Sequence, residues 1–197
     1  MSDYRVNELF WSIQGEGVQA GRTAVFIRLQ GCPVGCAWCD SKLTWYAGGS
    51  RMSAEEIVYR VSELPRSELL IITGGEPLIQ PLDHLIDLLR LRFNRGITIE
   101  TSGVYPFKGG SRPDWLTVSP KRAAAWALDP EILASADELK YVVDAEFDLK
   151  PVYRHLVQRS ELSGGDPEDY ARFHIVLMPE GDPPKAENVA KTLDLLR

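Results

Sequence analysis

The hydrophobic pattern of this chain alternates between short apolar runs and longer runs in which apolar residues recur every three or four positions. The short runs are typical of strands and cover Thr23–Arg28, Leu69–Thr73, Ile97–Glu100, Trp115–Ser119, Glu138–Val143 and Phe173–Met178. The longer runs predict helices over Ser53–Leu64, Pro81–Phe93, about Glu146–Val157 and Ala186–Leu196. This alternation predicts βαβ units in an α/β fold, arranged as an open partial barrel of about six mostly parallel strands.

Composition changes this picture little. The chain has 197 residues, of which 44% are apolar and 25% charged, so residues 1–197 suffice for a single domain with its own core. The formal net charge of −6 argues against a protein that coats nucleic acid or an anionic membrane. No apolar run approaches the roughly 20 residues that span a bilayer, and the N-terminus lacks a signal-peptide pattern. We therefore expect a cytoplasmic protein.

The three cysteines of the chain lie close together, directly after the first predicted strand. Their spacing is Cys32-x-x-x-Cys36-x-x-Cys39, and an odd number in a reducing compartment argues against disulfides. Three thiolates can ligate three irons of a 4Fe–4S cluster and leave the fourth open, unlike the four-cysteine clusters of electron carriers. An open iron can bind the amino and carboxylate groups of S-adenosylmethionine (SAM), a cofactor of radical chemistry.

Two other interpretations of the cysteines stay open. A structural zinc site needs four ligands, and the residues that would supply the fourth, His84, His155 and His174, are distant in the sequence. A group of buried or regulatory thiols is the other alternative. Such thiols are usually scattered along a chain, whereas these three are clustered among glycines and a proline.

A second motif, Thr73-Gly74-Gly75-Glu76-Pro77, begins at the last residue of the apolar run Leu69–Thr73. Ligands of parallel α/β folds bind at the carboxyl ends of strands, although a Gly-Gly pair there is by itself more often only a tight turn. The cysteine spacing, with Trp38 before the last cysteine, resembles the signature of the radical SAM superfamily. The second motif is similar to the superfamily's GGE motif, which holds the methionyl amino group of SAM.

Four longer segments resemble the 7-carboxy-7-deazaguanine synthase family, and the resemblance extends over nearly the whole chain. The segments are Phe10–Gly17, Arg28–Ser41, Ile99–Gly103 and Val118–Lys121. Family members tend to end in a further strand and a tail that closes the substrate site, whereas this sequence stops at Arg197 inside a predicted helix. We therefore expect a single radical SAM domain over residues 1–197 whose C-terminal tail is absent or trimmed.

The resemblance implies a role for each residue that matches the motifs. The cluster ligands are Cys32, Cys36 and Cys39. The substrate-binding residues are Ile13, Gln14, Gly15, Glu16, Arg28 and Thr73. The SAM-binding residues are Trp38, Cys39, Asp40, Gly75, Glu76, Ser102, Ser119, Pro120 and Lys121. Ser41 stands where the family usually has a threonine that binds Mg2+, and the serine keeps the hydroxyl ligand.

The resemblance also implies an activity. Cluster and SAM would remove a hydrogen atom from 6-carboxy-5,6,7,8-tetrahydropterin, and the ring would contract with loss of ammonia to give 7-carboxy-7-deazaguanine, a precursor of queuosine-type nucleosides. A flavodoxin or ferredoxin would supply electrons, and a homodimer is expected by analogy. The alternatives are a radical SAM activase of a glycyl-radical protein, which lacks the Phe10–Gly17 motif, and a non-catalytic electron carrier, which would use four cysteines.

Overall fold

The computed structural model describes residues 3–165, 173–181 and 183–196. Its strands are β1 (Tyr4–Ile13), β2 (Thr23–Leu29), β3 (Ser50–Met52), β4 (Leu69–Gly74), β5 (Gly96–Thr101), β6 (Trp115–Val118), β7 (Glu138–Val143) and β8 (His174–Pro179). Its α-helices are α1 (Ala54–Glu63), α2 (Asp83–Arg92), α3 (Pro130–Ser135), α4 (Lys150–Leu162) and α5 (Ala186–Leu195). Short 3-10 turns cover Lys42–Thr44, Pro77–Ile79 and Arg122–Ala124.

Within the described residues the strands form one open sheet in the order β3-β1-β2-β4-β5-β6-β7-β8. The six strands from β2 to β8 in this order run parallel, which confirms the predicted α/β fold with a mostly parallel, open sheet. The sheet is larger than predicted, because β1 and β3 add an antiparallel edge. The sequence analysis missed β1 because its residues alternate between buried and exposed and carry the polar Phe10–Gly17 motif.

The central strands explain why the sheet holds together. Every residue of β4 except the last is buried, because α1 and α2 cover one face and Phe10, Ala24 and Phe26 pack on the other. Helix α1 begins after Ser53, whose hydroxyl accepts a hydrogen bond from the Glu56 backbone N–H at 3.2 Å.

Helix α4 begins four residues later than predicted, at Lys150. None of the helices in the described ranges has the length and apolar composition of a membrane span.

A buried polar chain links β7 to α4 and to the turn after β6. The Tyr141 hydroxyl lies 2.7 Å from His155 Nδ1, and His155 Nε2 lies 2.8 Å from the Trp126 carbonyl oxygen. Since a carbonyl only accepts, Nε2 carries the hydrogen and Nδ1 accepts from the tyrosine. Ala125 and Trp126 both have left-handed backbone, with φ of 52° and 61°, so the His155 bond holds a strained turn in place.

The hydrogen-bond chain through His155 predicts that the stability of the fold is sensitive to acid. Burial lowers the pKa of His155 below the ordinary value of 6.5, and the Trp126 carbonyl only partly opposes this. A lowered histidine pKa contributes stability that is complete above pH 6.5 and is lost as the pH falls through the folded-state pKa. Each pKa unit of lowering corresponds to about 1.4 kcal/mol. We expect the free energy of unfolding in urea to fall between pH 7.5 and 5, and His155→Gln to flatten that slope.

A control separates this histidine from the others. His84→Gln, at a half-exposed histidine outside the buried hydrogen-bond chain, is the matched control. Equal slopes for His155→Gln and the parent would show that His155 does not set the acid sensitivity.

Candidate active site

One large cavity opens at the carboxyl ends of the parallel strands, with a volume of about 880 Å³. This volume is at the upper end of the range for small-molecule sites, about 300–1,000 Å³, and is large enough for a cofactor and a substrate together. All but two of the residues predicted from the sequence line it, namely Ile13, Gln14, Gly15, Glu16, Arg28, Cys32, Trp38, Cys36, Cys39, Asp40, Ser41, Thr73, Gly75, Ser102, Ser119 and Lys121. The two that do not are Glu76 and Pro120.

The cysteine loop that follows β2 is held on both sides. The Gly31 N–H donates to the Thr44 carbonyl at 2.7 Å, and the Gly31 carbonyl accepts from the Glu76 N–H at 2.8 Å. The buried Gln30 amide donates to the carbonyls of Leu43 and Tyr46. The loop is therefore fixed to its own return segment and to the turn after β4.

The three thiols fit the ligand set of an iron–sulfur cluster. All are free and face the cavity. Burial raises the pKa of Cys32, and the N–H groups of Val34 and Gly35 oppose this by stabilising its thiolate. Burial likewise raises the pKa of Cys36, and Lys121 is the largest opposing influence. Backbone amides and a nearby cation are the features that favour thiolates as metal ligands.

The zinc interpretation gains no support from this geometry. Among residues 3–165, 173–181 and 183–196, no histidine is grouped with the cysteines as a further ligand of a single metal ion. Of the histidines named for the fourth position, His155 is bonded to Tyr141 and Trp126, and His84 pairs with Glu55.

The two glycines at the end of β4, Gly74 and Gly75, are required by close backbone contacts. A Cβ on Gly74 would lie 2.2 Å from the Leu29 carbonyl oxygen, and the Gly74 φ of +138° favours glycine as well. A Cβ on Gly75 would lie 2.2 Å from the Gly31 carbonyl oxygen and 2.9 Å from Cys32 Cβ. The Gly-Gly pair thus lets the turn pack directly on the cysteine loop.

Glu76 lies behind the cavity wall and is 1% exposed. Its carboxylate accepts hydrogen bonds from the Thr101 hydroxyl at 2.6 Å, from the Ser102 N–H at 2.8 Å and from the Leu78 N–H at 3.1 Å. These bonds tie the end of β4 to the end of β5 and leave Glu76 directed at protein rather than at the cavity. A direct contact between Glu76 and SAM therefore stays a prediction that this placement does not favour.

The predicted SAM residues after β6 form a connected group. Lys121 Nζ donates to Ser119 Oγ at 2.7 Å and lies 5.0 Å from the centre of the Trp38 ring. Burial lowers the pKa of Lys121, although the nearby Cys36 thiol opposes this. The arrangement places a cation and an aromatic face beside the cysteine loop, where a ligand with a carboxylate and a purine would find partners.

On the opposite side of the cavity, Glu100 organises the predicted substrate residues. Its carboxylate accepts from Gln14 Nε2 at 2.7 Å and from the Thr73 hydroxyl at 3.0 Å. Glu100 lines the cavity but was not assigned a role from the sequence. It belongs to the Ile99–Gly103 motif, so the signal was present in the sequence, and only the fold shows which motif residue faces inward.

Lys140 is a second residue that the sequence analysis missed. It lies in the middle of β7, is 6% exposed, and its ammonium is 2.5 Å from Glu16 Oε2. Burial lowers the pKa of Lys140, but the carboxylates of Glu100 and Glu16 more than compensate and the pKa is raised overall. A lysine among the apolar residues Leu139, Tyr141, Val142 and Val143 was the available sequence signal.

Arg28 reaches the cavity between two partners. Its Nη1 donates to the Ser41 hydroxyl at 2.9 Å, and its Nε lies 2.8 Å from Glu8 Oε1. The guanidinium also lies 5.4 Å from the centre of the Phe10 ring, which stacks on Phe26. Ser41 makes no side-chain capping bond to the turn that follows, so its hydroxyl is directed to the site.

The Glu100 contacts predict a large effect of a small change. Glu100→Gln keeps the shape but removes the negative charge that strengthens the hydrogen bonds from Gln14 and Thr73. Because a hydrogen bond to a charged group is worth about 1.5–3 kcal/mol, we expect kcat/KM for the substrate to fall about 10- to 100-fold. Glu68→Gln, which removes an exposed surface pair with Arg22, is the matched control. A loss under twofold in Glu100→Gln would contradict this assignment.

Comparisons with known proteins agree with this geometry. Residues 26–120 match the Radical SAM superfamily. A 7-carboxy-7-deazaguanine synthase from Pyrobaculum aerophilum is 37% identical over 198 residues, which span 94% of this chain and 83% of that protein. The enzyme of the same name from Escherichia coli K12 is 37% identical over 75% of each chain. The crystal structure of QueE from Escherichia coli superposes with a TM-score of 0.71 at 31% identity, over 98% of this chain and 88% of that one.

Sequence relatives and the superposed structure thus lead to the same family as the motifs. The alignment with the relative from Pyrobaculum aerophilum covers most of both chains, and the superposed structure is similar in fold as well as in sequence. The chain belongs to the 7-carboxy-7-deazaguanine synthase family of radical SAM enzymes.

Proposed function

We propose that this protein converts 6-carboxy-5,6,7,8-tetrahydropterin to 7-carboxy-7-deazaguanine with release of ammonia. The observation that carries the proposal is that one cavity contains both the three-cysteine loop and the polar residues of the Phe10–Gly17 motif. A protein that only carried electrons would have no use for a polar pocket of this size beside its cluster.

The three cysteines would hold a 4Fe–4S cluster, and Gly75, Ser119 and Lys121 would hold SAM beside it. When bound, these two groups supply the one-electron chemistry that removes a hydrogen atom from the substrate. The protein positions the substrate for that step, and its buried charges replace water around the reacting ring.

The substrate side is built for the edges and faces of a pterin. The carboxylates of Glu16 and Glu100 accept from ring N–H groups, and the Thr73 hydroxyl and the Gln14 amide complement the remaining polar atoms. The stacked rings of Phe10 and Phe26, with centroids 4.9 Å apart, offer an apolar wall. Arg28 pairs with the substrate carboxylate bidentately when it exchanges Glu8 for the ligand.

Mg2+ is part of the proposal. Magnesium takes oxygen ligands and commonly completes its shell with substrate oxygens and water, and the Ser41 hydroxyl is the oxygen that this chain offers in the cysteine loop. The bond from Arg28 uses one lone pair of that hydroxyl and leaves the other.

The Ser41 hydroxyl gives the metal proposal a direct test. Ser41→Ala removes the ligand, and we expect the Mg2+ concentration for half-maximal product formation to rise about tenfold or more. Ser41→Thr keeps the hydroxyl and should stay near the parent value. Equal Mg2+ dependence of Ser41→Ala and the parent would remove Ser41 from the metal site.

Anaerobic turnover tests the function itself. Cluster-reconstituted protein is incubated with dithionite, SAM, Mg2+ and 6-carboxy-5,6,7,8-tetrahydropterin, and the products are identified by mass spectrometry. We expect 7-carboxy-7-deazaguanine. Release of 5′-deoxyadenosine without that product would keep the superfamily and refute the substrate, leaving the glycyl-radical activase as the alternative. If protein with four irons per chain formed neither 5′-deoxyadenosine nor 7-carboxy-7-deazaguanine, the proposal that it is an enzyme would be refuted.

Two partners belong to the same proposal. Flavodoxin or ferredoxin replaces dithionite as the reductant, which is tested by turnover with each reduced protein in place of dithionite. A homodimer is tested by light scattering of the purified protein, where a monomer mass would refute it.

A further inference from the structure

The segment between β1 and β2 crosses the cavity side of the sheet and is attached to β5 and β7. Gln14 bonds Glu100 of β5, and Gln19 accepts from the Thr98 hydroxyl of the same strand at 2.9 Å. The Val18 N–H donates to Glu138 of β7 at 2.7 Å. These contacts hold residues 14–19 in place, and the part of the segment that lines the cavity, residues 14–16, forms its floor.

Lys140 makes the remaining attachment and is connected to both halves of the site. Its ammonium contacts Glu16 Oε2 on the floor, and its carbonyl accepts from Ser119 Oγ at 2.8 Å. Ser119 Oγ in turn accepts from Lys121 Nζ. One residue of β7 therefore supports the substrate side through its side chain and the cofactor side through its backbone.

The geometry leaves one oxygen of Glu16 available. Oε2 is used by Lys140, and among the residues that the structure describes no donor contacts Oε1. The Glu16 side chain is 48% exposed and lines the cavity, whereas the Lys140 side chain is 8% exposed. A buried cation thus holds one end of a carboxylate whose other end is presented to a ligand.

We infer that Lys140 is a positioning residue that fixes Glu16 so that its free oxygen accepts from the ring N–H groups of the pterin. The inference rests on the proposed function, because it names the group that the floor presents to that substrate. Its competing explanation is an ion pair that stabilises only the fold. Glu100 and Glu138 also face Lys140, and Lys121 lies on its cofactor side, so the ammonium also limits repulsion among the carboxylates.

The test compares holoenzyme variants. Lys140→Met removes the charge at similar length, and Lys140→Arg keeps it. We expect Lys140→Met to raise the KM for the pterin about 10- to 100-fold, the loss typical of a charge-assisted contact, with a smaller change in kcat. Lys140→Arg should recover at least part of the KM. Lys150→Met, at a lysine whose side chain is 90% exposed, is the matched control and should behave as the parent.

A binding measurement separates this inference from the proposed function. The aromatic analogue 6-carboxypterin is titrated into each protein, and its dissociation constant should rise with Lys140→Met in parallel with KM. No binding and no turnover by the parent protein would refute the proposed function itself. Binding by the parent with an unchanged constant in Lys140→Met would overturn only the positioning role.

Glu16→Gln keeps the test decisive if Lys140→Met folds poorly. This variant should raise the dissociation constant as Lys140→Met does, and the double variant should lose less than the product of the two single losses. Fully multiplicative losses, or an unchanged constant in Glu16→Gln, would overturn the inference. The inference would also be overturned if Lys140→Met lowered the melting temperature without changing the dissociation constant.

Discussion

Replacing Gly75 by alanine will remove most of the bound cluster and the activity that depends on it. The added Cβ would lie 2.2 Å from the Gly31 carbonyl oxygen, 2.6 Å from its carbon and 2.9 Å from Cys32 Cβ. The loop cannot move away freely, because the Gly31 carbonyl accepts from Glu76 and the Gly31 N–H donates to Thr44. Either the turn or the first cysteine must shift, and an overpacked contact of this kind costs about 1–3 kcal/mol.

Iron content, melting temperature and product formation measure this effect. We expect Gly75→Ala to bind less than half the iron of the parent after identical reconstitution and to melt at a lower temperature. Gly110→Ala is the matched control, since a Cβ there meets no atom within 4 Å. If Gly75→Ala held a full complement of iron and turned over normally, the turn would not be positioning the cysteine loop.

Replacing Cys36 by alanine has the other large expected effect. Cys36 is the most buried of the three thiols and lies near Lys121, and the chain has no fourth cysteine to replace it. With two thiolates left, the protein cannot retain a 4Fe–4S cluster at three corners. We expect iron binding to collapse and both 5′-deoxyadenosine and 7-carboxy-7-deazaguanine to fall below detection.

Ala37→Ser is the control for this substitution, because Ala37 lies next to Cys36 in the loop and is exposed. It should bind iron and turn over as the parent does. Far-UV circular dichroism shows whether Cys36→Ala still folds, since the core strands do not include the loop. A Cys36→Ala protein that bound four irons and formed product would refute the cluster assignment.

Features that depend on neighbouring residues could be predicted from the sequence, whereas contacts between residues far apart in the chain could not. The parallel strands were predictable because β4 and β7 each contain a short run of consecutive, mostly apolar residues. The cysteine loop was equally local. The roles of Glu100 and Lys140 were not, because they depend on partners far along the chain, such as Gln14 and Glu16. Register places Glu100 beside Thr73, and a motif alone does not give register.

Glu76 illustrates the opposite case. Its motif resemblance assigned it to SAM, whereas its carboxylate bonds Thr101 and Ser102 at the end of the next strand. These bonds join the end of β4 to the end of β5, and the SAM contact implied by the motif stays a prediction. A motif identifies where a residue is needed, and only contacts identify what it does there.

The crossing segment under the cavity has a consequence for biosynthesis. Its bonds join residues 86, 120 and 124 positions apart in the chain, and contacts of such long range form late in folding. A nascent chain emerges from the ribosome N-terminus first, so the cysteine loop and the Gly-Gly turn are both outside before β7 has been made. During that interval the cysteine loop borders a cavity whose β7 wall is missing. The pterin pocket is complete only after β7 has been synthesised.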